Sequence, residues 1–271
     1  MNVTTMKTND FPMSALHARA NVLASPGEGT GPTGAGRGRG AFTLVELRVV
    51  ISIIGVLSGF ILSVLGAAFK NKYINTATAE MAQIQLALER YKAAYGVYPP
   101  SGTVAQPNRF TVNPLYFELE GVSNTNLQGA NYFVTLDGQN SVKAVNVGGT
   151  TGSNGCFGVT GFINTSKGGG EDYVPAKVFL PGLRANEIGN VTNPTGGGLP
   201  GVAILVSSVG GPDASYQPLG GPHLNPWRYN SVDPTNNPNS YDLWIQLKIN
   251  GKTYLISNWS KQVQVNNPNL P

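Results

Sequence analysis

Hydrophobic and polar residues follow three different periods along this chain. From Val49 to Phe69 no residue is charged, and this continuous apolar run is long enough for a bilayer crossing. It is fronted by "FTLVELR", where Glu46 and Arg48 stand two positions apart among apolar neighbours. Beyond Phe69 the pattern turns amphipathic. Ile74, Ala77, Met81, Ile84, Leu88, Tyr91 and Tyr95 recur at intervals of 3 and 4, one stripe along a helix, with Glu80, Gln83, Gln85, Glu89, Arg90 and Lys92 mostly off it. Gly96 and the Pro99–Pro100 pair forbid continuation. The pattern predicts one helix from about Phe42 to Tyr95, on the order of 80 Å long at ~1.5 Å per residue.

Near the C-terminus the period falls to two. In "YDLWIQLKINGKTYLISNW" the Asn250–Gly251 pair is the favoured two-residue hairpin turn, which sets Leu247 opposite Tyr254 and Ile245 opposite Ile256 on one face. Trp244, Gln246 and Leu255 then share the other face. "GVAILVSSVG" (201–210) reads as a buried strand and "NYFVTL" (131–136) as a weaker one. The remainder of 101–225 is mostly turn-forming, and its order is not fixed by pattern. An amphipathic helix ending beside a one-sided hairpin predicts a two-layer α+β core: a long N-terminal helix, part membrane and part amphipathic, packed on a small antiparallel sheet.

Composition narrows the class. Only 12% of the 271 residues are charged, while glycine (35) and proline (19) are abundant, which suits a loop-rich β protein outside the cytosol. A net charge of +4 with no Lys/Arg run alternating with aromatics argues against nucleic-acid binding. Cys156 is the single cysteine, so no intramolecular disulfide and no thiolate metal site can form. His17 and His223 are the only histidines, and catalysis would have to rest on His223 in the turn-rich "GGPHLNPW". An enzyme is not expected. Residues 1–41, rich in Gly, Pro and Ser, lack periodicity and are expected to be disordered. They end in Arg37 and Arg39 directly before the apolar run, the logic of a targeting segment.

"GAFTLVELRVVISIIGVLSG" resembles the class III signal of type IV prepilins and type II secretion pseudoprepilins. The elements are the basic leader (Arg37, Arg39), the small Ala41, then Phe42-Thr43-Leu44-Val45-Glu46 and the apolar stretch to Phe69. The resemblance implies that a membrane-embedded prepilin peptidase cuts between Ala41 and Phe42 and N-methylates Phe42, making Glu46 the fifth mature residue. Cutting after Gly40 would restore the commoner Gly before the cut but move Glu46 to sixth. The leader is long for the family, and Met6 and Met13 are alternative starts. "LALERYKAAYGVYPPSG", "NPWRYN", "SYDLW" and "ISNW" are similar, more weakly, to elements of the major, G-type pseudopilin, in the same order. The segment 101–225 is an expansion that this pattern does not explain.

The resemblance implies a division into a cleaved leader (1–41), a transmembrane and filament-core helix (42–70), an amphipathic half (71–96) and a periplasmic pilin-like sheet domain (97–271). It also implies the function: a pseudopilin subunit, anchored once in the bacterial inner membrane, that polymerises with other subunits into a periplasmic filament on a secretion platform. A type IV pilin or adhesin, and an uncleaved signal-anchored periplasmic protein, are the alternatives. Filament assembly would rest on Phe42, Glu46 and Arg48. In the family the carboxylate of one subunit faces the N-terminal amine of its neighbour, and an unpaired charge in low dielectric is heavily penalised. Arg48 departs from the usual apolar residue. It stands about 200° from Glu46 around a helix, so the two cannot pair within one chain. Either its stem snorkels to the headgroups or it is a further inter-subunit partner for Glu46. Ser63 stands where many pilins carry a helix-loosening Pro. G-type members bind calcium through acids before the final Asn-Trp, but here that stretch is "NGKTYL", with only Asp233 and Asp242 nearby. No metal and no cofactor are expected.

Overall fold

The computed structural model describes residues 43–102, 109–148, 155–192, 201–221 and 223–267, without the side chains of 61–65. Contacts divide the chain after Ile53. The described part of the first unit, 43–53, is the start of a helix whose side chains are all exposed.

Helix α1 spans Leu44–Tyr95. Its stripe residues Ala77, Met81, Ile84, Leu88 and Tyr91 are buried, and Ile74 and Tyr95 pack half-buried against the same cluster. Gly96 ends the helix in a left-handed conformation (φ 79°) that a side chain would strain, and its N–H reaches the Lys92 carbonyl at 2.8 Å. The short helix α2 (Leu115–Glu120) is buried at every position.

The strands fall into three antiparallel sheets. The first joins β1 (Val122–Leu127), β2 (Ala130–Thr135) and β3 (Ser141–Lys143) in that order. The second is the pair β4 (Ile188–Val191) and β5 (Val202–Leu205). The third runs β6 (Arg228–Asn230), β7 (Asp242–Ile249), β8 (Lys252–Ser257) and β9 (Ser260–Val265). In the β7–β8 hairpin Leu247 lies opposite Tyr254 and Ile245 opposite Ile256. Asn250 and Gly251 both take positive φ, 52° and 75°, the backbone such a two-residue turn requires. Leu243, Ile245, Leu247 and Ile249 form a buried row along β7, as strand alternation dictates.

The expected pilin-like α+β arrangement, a helix with a membrane half on one small sheet, is corrected by these findings. Among the described residues there are three sheets rather than one, and no helix is long and apolar enough to cross a membrane. The protein is sheet-rich because the expansion over 101–225 supplies two of the three sheets and α2. Their strands run from three to six residues, and all but β5, which is Val-Ala-Ile-Leu and buried throughout, carry polar positions. The span expected over 42–70 includes Phe42 and the side chains of 61–65, which lie outside the described residues.

Candidate functional site

Of the expected processing and assembly residues, Glu46 and Arg48 lie in the first turns of α1. Ala41 and Phe42 lie outside the described residues. Thr43 is the residue before the helix, and it forms a reciprocal box with Glu46. The Glu46 N–H donates to Thr43 Oγ1 (3.2 Å), while the Thr43 N–H and hydroxyl both donate to Glu46 Oε2 (2.8 and 2.9 Å). This arrangement satisfies backbone donors that a helix start otherwise leaves unpaired, and it holds a negative charge at the positive end of the helix dipole. Thr-x-x-Glu before an apolar run is the sequence signature of such a box. Reading Glu46 only as an assembly contact overlooked it.

The box has a chemical consequence. Both bonds from Thr43 fall on Oε2, so Oε1 lies outside the box and Glu46 remains exposed. The carboxylate is thereby fixed at the helix tip. It can order its own helix and still accept a cation from another molecule. Arg48 is exposed, and its carbonyl accepts a hydrogen bond from Ser52 Oγ at 2.8 Å. The structure does not bring Glu46 and Arg48 together as an ion pair among the described residues. Around them Leu44, Val45, Leu47, Val49, Val50, Ile51 and Ile53 expose about half to two thirds of their surface. An apolar surface of this kind marks an interaction with a membrane or with protein.

Cys156 is buried, and burial pushes its thiol up to about 11, far from a nucleophile's range. His223 occupies a left-handed turn (φ 61°) against Gly210. Asp233 accepts three bonds from the Arg109 guanidinium at 3.0–3.2 Å. The carboxylate of Asp242 accepts the backbone N–H groups of Thr235, Asn236 and Asn237 at 2.8–2.9 Å. Both acids near the final Asn-Trp are therefore engaged with protein donors. Among the described residues no group of three or more His, Cys, Asp or Glu is placed to hold a metal.

Among the buried carboxylates, Glu80 lies off the predicted apolar stripe of α1, and Glu118 sits on α2, a helix the pattern does not predict. Glu80 accepts from Ser207 Oγ (2.6 Å) and from the Ser208 hydroxyl, tying α1 to the end of β5. Glu118 is fully buried and accepts from Tyr91 Oη, Ile163 N and Asn164 N at 2.8–2.9 Å. Burial raises the Glu118 carboxyl above its usual range, opposed by the Asn164 and Ile163 N–H bonds. An open groove of about 490 Å³ beside α1 is lined by Leu86, Arg90, Phe179, Leu183, Arg184 and Glu187, with Arg184 and Glu187 already paired at 2.8 Å. No family model, characterised protein or solved structure matches the chain.

Proposed function

We propose that this protein is a structural pseudopilin subunit of a type II secretion-like system, cleaved by prepilin peptidase before Phe42, methylated there, and polymerised into a periplasmic filament. One observation carries the reading. Arg37, Arg39, Ala41 and Phe42-Thr-Leu-Val-Glu46 stand in the order of a prepilin signal, directly before apolar side chains that are exposed among the described residues. Its partners are the peptidase, other copies of the chain, the inner-membrane platform and the membrane itself, with the C-terminal part in the periplasm. Glu46 accepts the Phe42 ammonium of a neighbouring subunit, which is largely cationic at neutral pH. The Thr43 box supports that role by fixing the carboxylate at the helix tip with one oxygen outside the box. The role is structural rather than catalytic.

N-terminal sequencing and intact mass of the membrane-extracted protein test the processing step. A chain beginning at methylated Phe42 is expected. A chain that retains the Gly-rich leader overturns the proposal in favour of an uncleaved anchored protein.

A further inference from the structure

Asn250 and Gly251, the turn that sets the β7–β8 register, also form the residue pair in which spontaneous deamidation is easiest. Asparagine is thermolabile, and most so before glycine, which has no side chain to shield its amide. Both residues are exposed, and nothing stands within 4 Å of where a Gly251 side chain would begin. The reaction needs water and no enzyme. The Gly251 amide nitrogen gives its proton to solvent base and attacks Asn250 Cγ, and the side-chain nitrogen leaves as ammonia. Water then opens the five-membered succinimide at either carbonyl, leaving an aspartyl or an isoaspartyl link. The side-chain amide has become a carboxylate, and in the isoaspartyl product the main chain is one methylene longer.

Two features of the fold oppose this chemistry. Asn250 N–H donates to Asp213 Oδ1 at 2.9 Å and Gly251 N–H to Asp213 Oδ2 at 2.8 Å, so both turn amides converge on one carboxylate. Asp213 is itself held to the hairpin, its own N–H donating to the Lys248 carbonyl at 3.0 Å. The nucleophile is thus tied through the proton it must lose, and its anion would form against a negative charge, which disfavours it. Ring closure also requires rotation about the Asn250 Cα–C bond. The ladder pairs Ile249–Lys252 and Lys248–Thr253 beside the turn hold that bond in place.

We propose that Asn250 is a deamidation site kept latent by Asp213 in the folded chain and released when the hairpin opens. Asp213 acts here as a positioning residue on the Gly251 amide. The modification reinforces itself. The new carboxylate stands in the turn whose amides Asp213 grips, a like-charge pair. The added methylene of an isoaspartyl link no longer fits a two-residue turn, so the register that buries Ile245 and Leu247 is lost. A chain that has opened this hairpin is thereby marked. This site is independent of the filament role.

The test incubates the full chain in non-ionic detergent and mildly alkaline buffer and follows residues 249–252 by peptide mass spectrometry, with isoaspartate separated by chromatography. The chain's other Asn-Gly pair, Asn154–Gly155, falls in a different peptide. Asn250 of the wild type should deamidate about tenfold faster in urea than when folded, and folded Asp213→Ala about tenfold faster than folded wild type, the value of one hydrogen bond to a charged group. Hydrogen exchange at the other β7–β8 amides should be the same in both folded proteins. Asp213→Asn keeps the shape and one acceptor without the charge, and it should show the acceleration should Asp213→Ala fail to fold. Folded wild type that deamidates as fast as the unfolded chain overturns the proposal. So does a variant no faster than wild type, or an acceleration matched by loss of exchange protection along the hairpin, which is unfolding only.

Discussion

Replacing Glu118 with Gln changes one buried oxygen into an NH₂ group without changing shape, and the surrounding donors make the outcome calculable. Three donors converge on this carboxylate: Ile163 N–H on Oε1, and Asn164 N–H with the Tyr91 hydroxyl on Oε2. An ionised carboxylate is acceptor-only and satisfies all three, whereas a side-chain amide accepts on one end alone. The least damaging orientation places the NH₂ at the Oε1 position, where it faces the Ile163 N–H. Two buried donors then confront each other, each costing about 1–3 kcal/mol when unsatisfied. Relief of the buried charge offsets part of this, since burial already raises the Glu118 carboxyl. A net loss of about 2 kcal/mol remains, or about 4–8 °C in Tm for a domain of this size. Tyr91→Phe removes one donor and leaves the other two satisfied, so about 1 kcal/mol is expected. Thermal unfolding followed by circular dichroism at neutral pH measures both. A Glu118→Gln protein as stable as the wild type, or more so, refutes the reasoning, because desolvation of the carboxylate would then outweigh its hydrogen bonds.

Two further outcomes follow from charge placement. Burial, and secondarily the negative charge of Asp137, push the Glu120 carboxyl up to about 7 from 4.5. The unfolded chain releases this proton first, so Glu120 should cost stability progressively as pH rises from about 4.5 to about 7, and by a constant amount above that. The Tm difference between Glu120→Gln and wild type should therefore grow over that window and level off, and a flat difference contradicts the assignment. For Arg48, snorkelling predicts that Arg48→Leu yields cross-linked multimers at least as abundant as wild type. Pairing with Glu46 predicts fewer, with a coupling that vanishes once Glu46 is removed in a double-mutant cycle.

Much of this architecture can be read from residue pattern where the local chemistry is strong. The 3- and 4-residue spacing from Ile74 to Tyr95 picks out the buried face of α1, and Asn250–Gly251 sets the β7–β8 register. The middle of the chain resists such reading for physical reasons. Strand β1 is "VSNTNL", with polar residues on both faces, and β3 has three residues, so neither presents an apolar alternation. Its core instead brings Phe117 onto Phe157 and Phe162, 40 and 45 residues further along the chain, with ring centroids 5.2–6.0 Å apart. Glu80 looks like a solvent-facing helix charge until the serines that face it are placed, and Glu118 belongs to a helix with no legible period, buried against the backbone amides of 163 and 164. The Thr43–Glu46 box, by contrast, needed no tertiary information. Four consecutive residues carry it, and the assembly reading of Glu46 obscured it.

That box makes possible the measurement that bears most directly on Glu46 as the assembly contact. Gln serves in a capping box as Glu does, so Glu46→Gln keeps the helix start while removing the negative charge. Cysteine-free cross-linking of the overexpressed, membrane-extracted protein, scored for multimers alongside N-terminal sequencing, separates the two roles. The account predicts normal cleavage before Phe42 and loss of multimers for Glu46→Gln, because the neighbour's ammonium is left without a counter-charge in low dielectric. Thr43→Ala, which breaks the box but keeps the carboxylate, should retain multimers. Wild-type multimers from Glu46→Gln, together with their loss in Thr43→Ala, would contradict the account and reduce Glu46 to a helix cap.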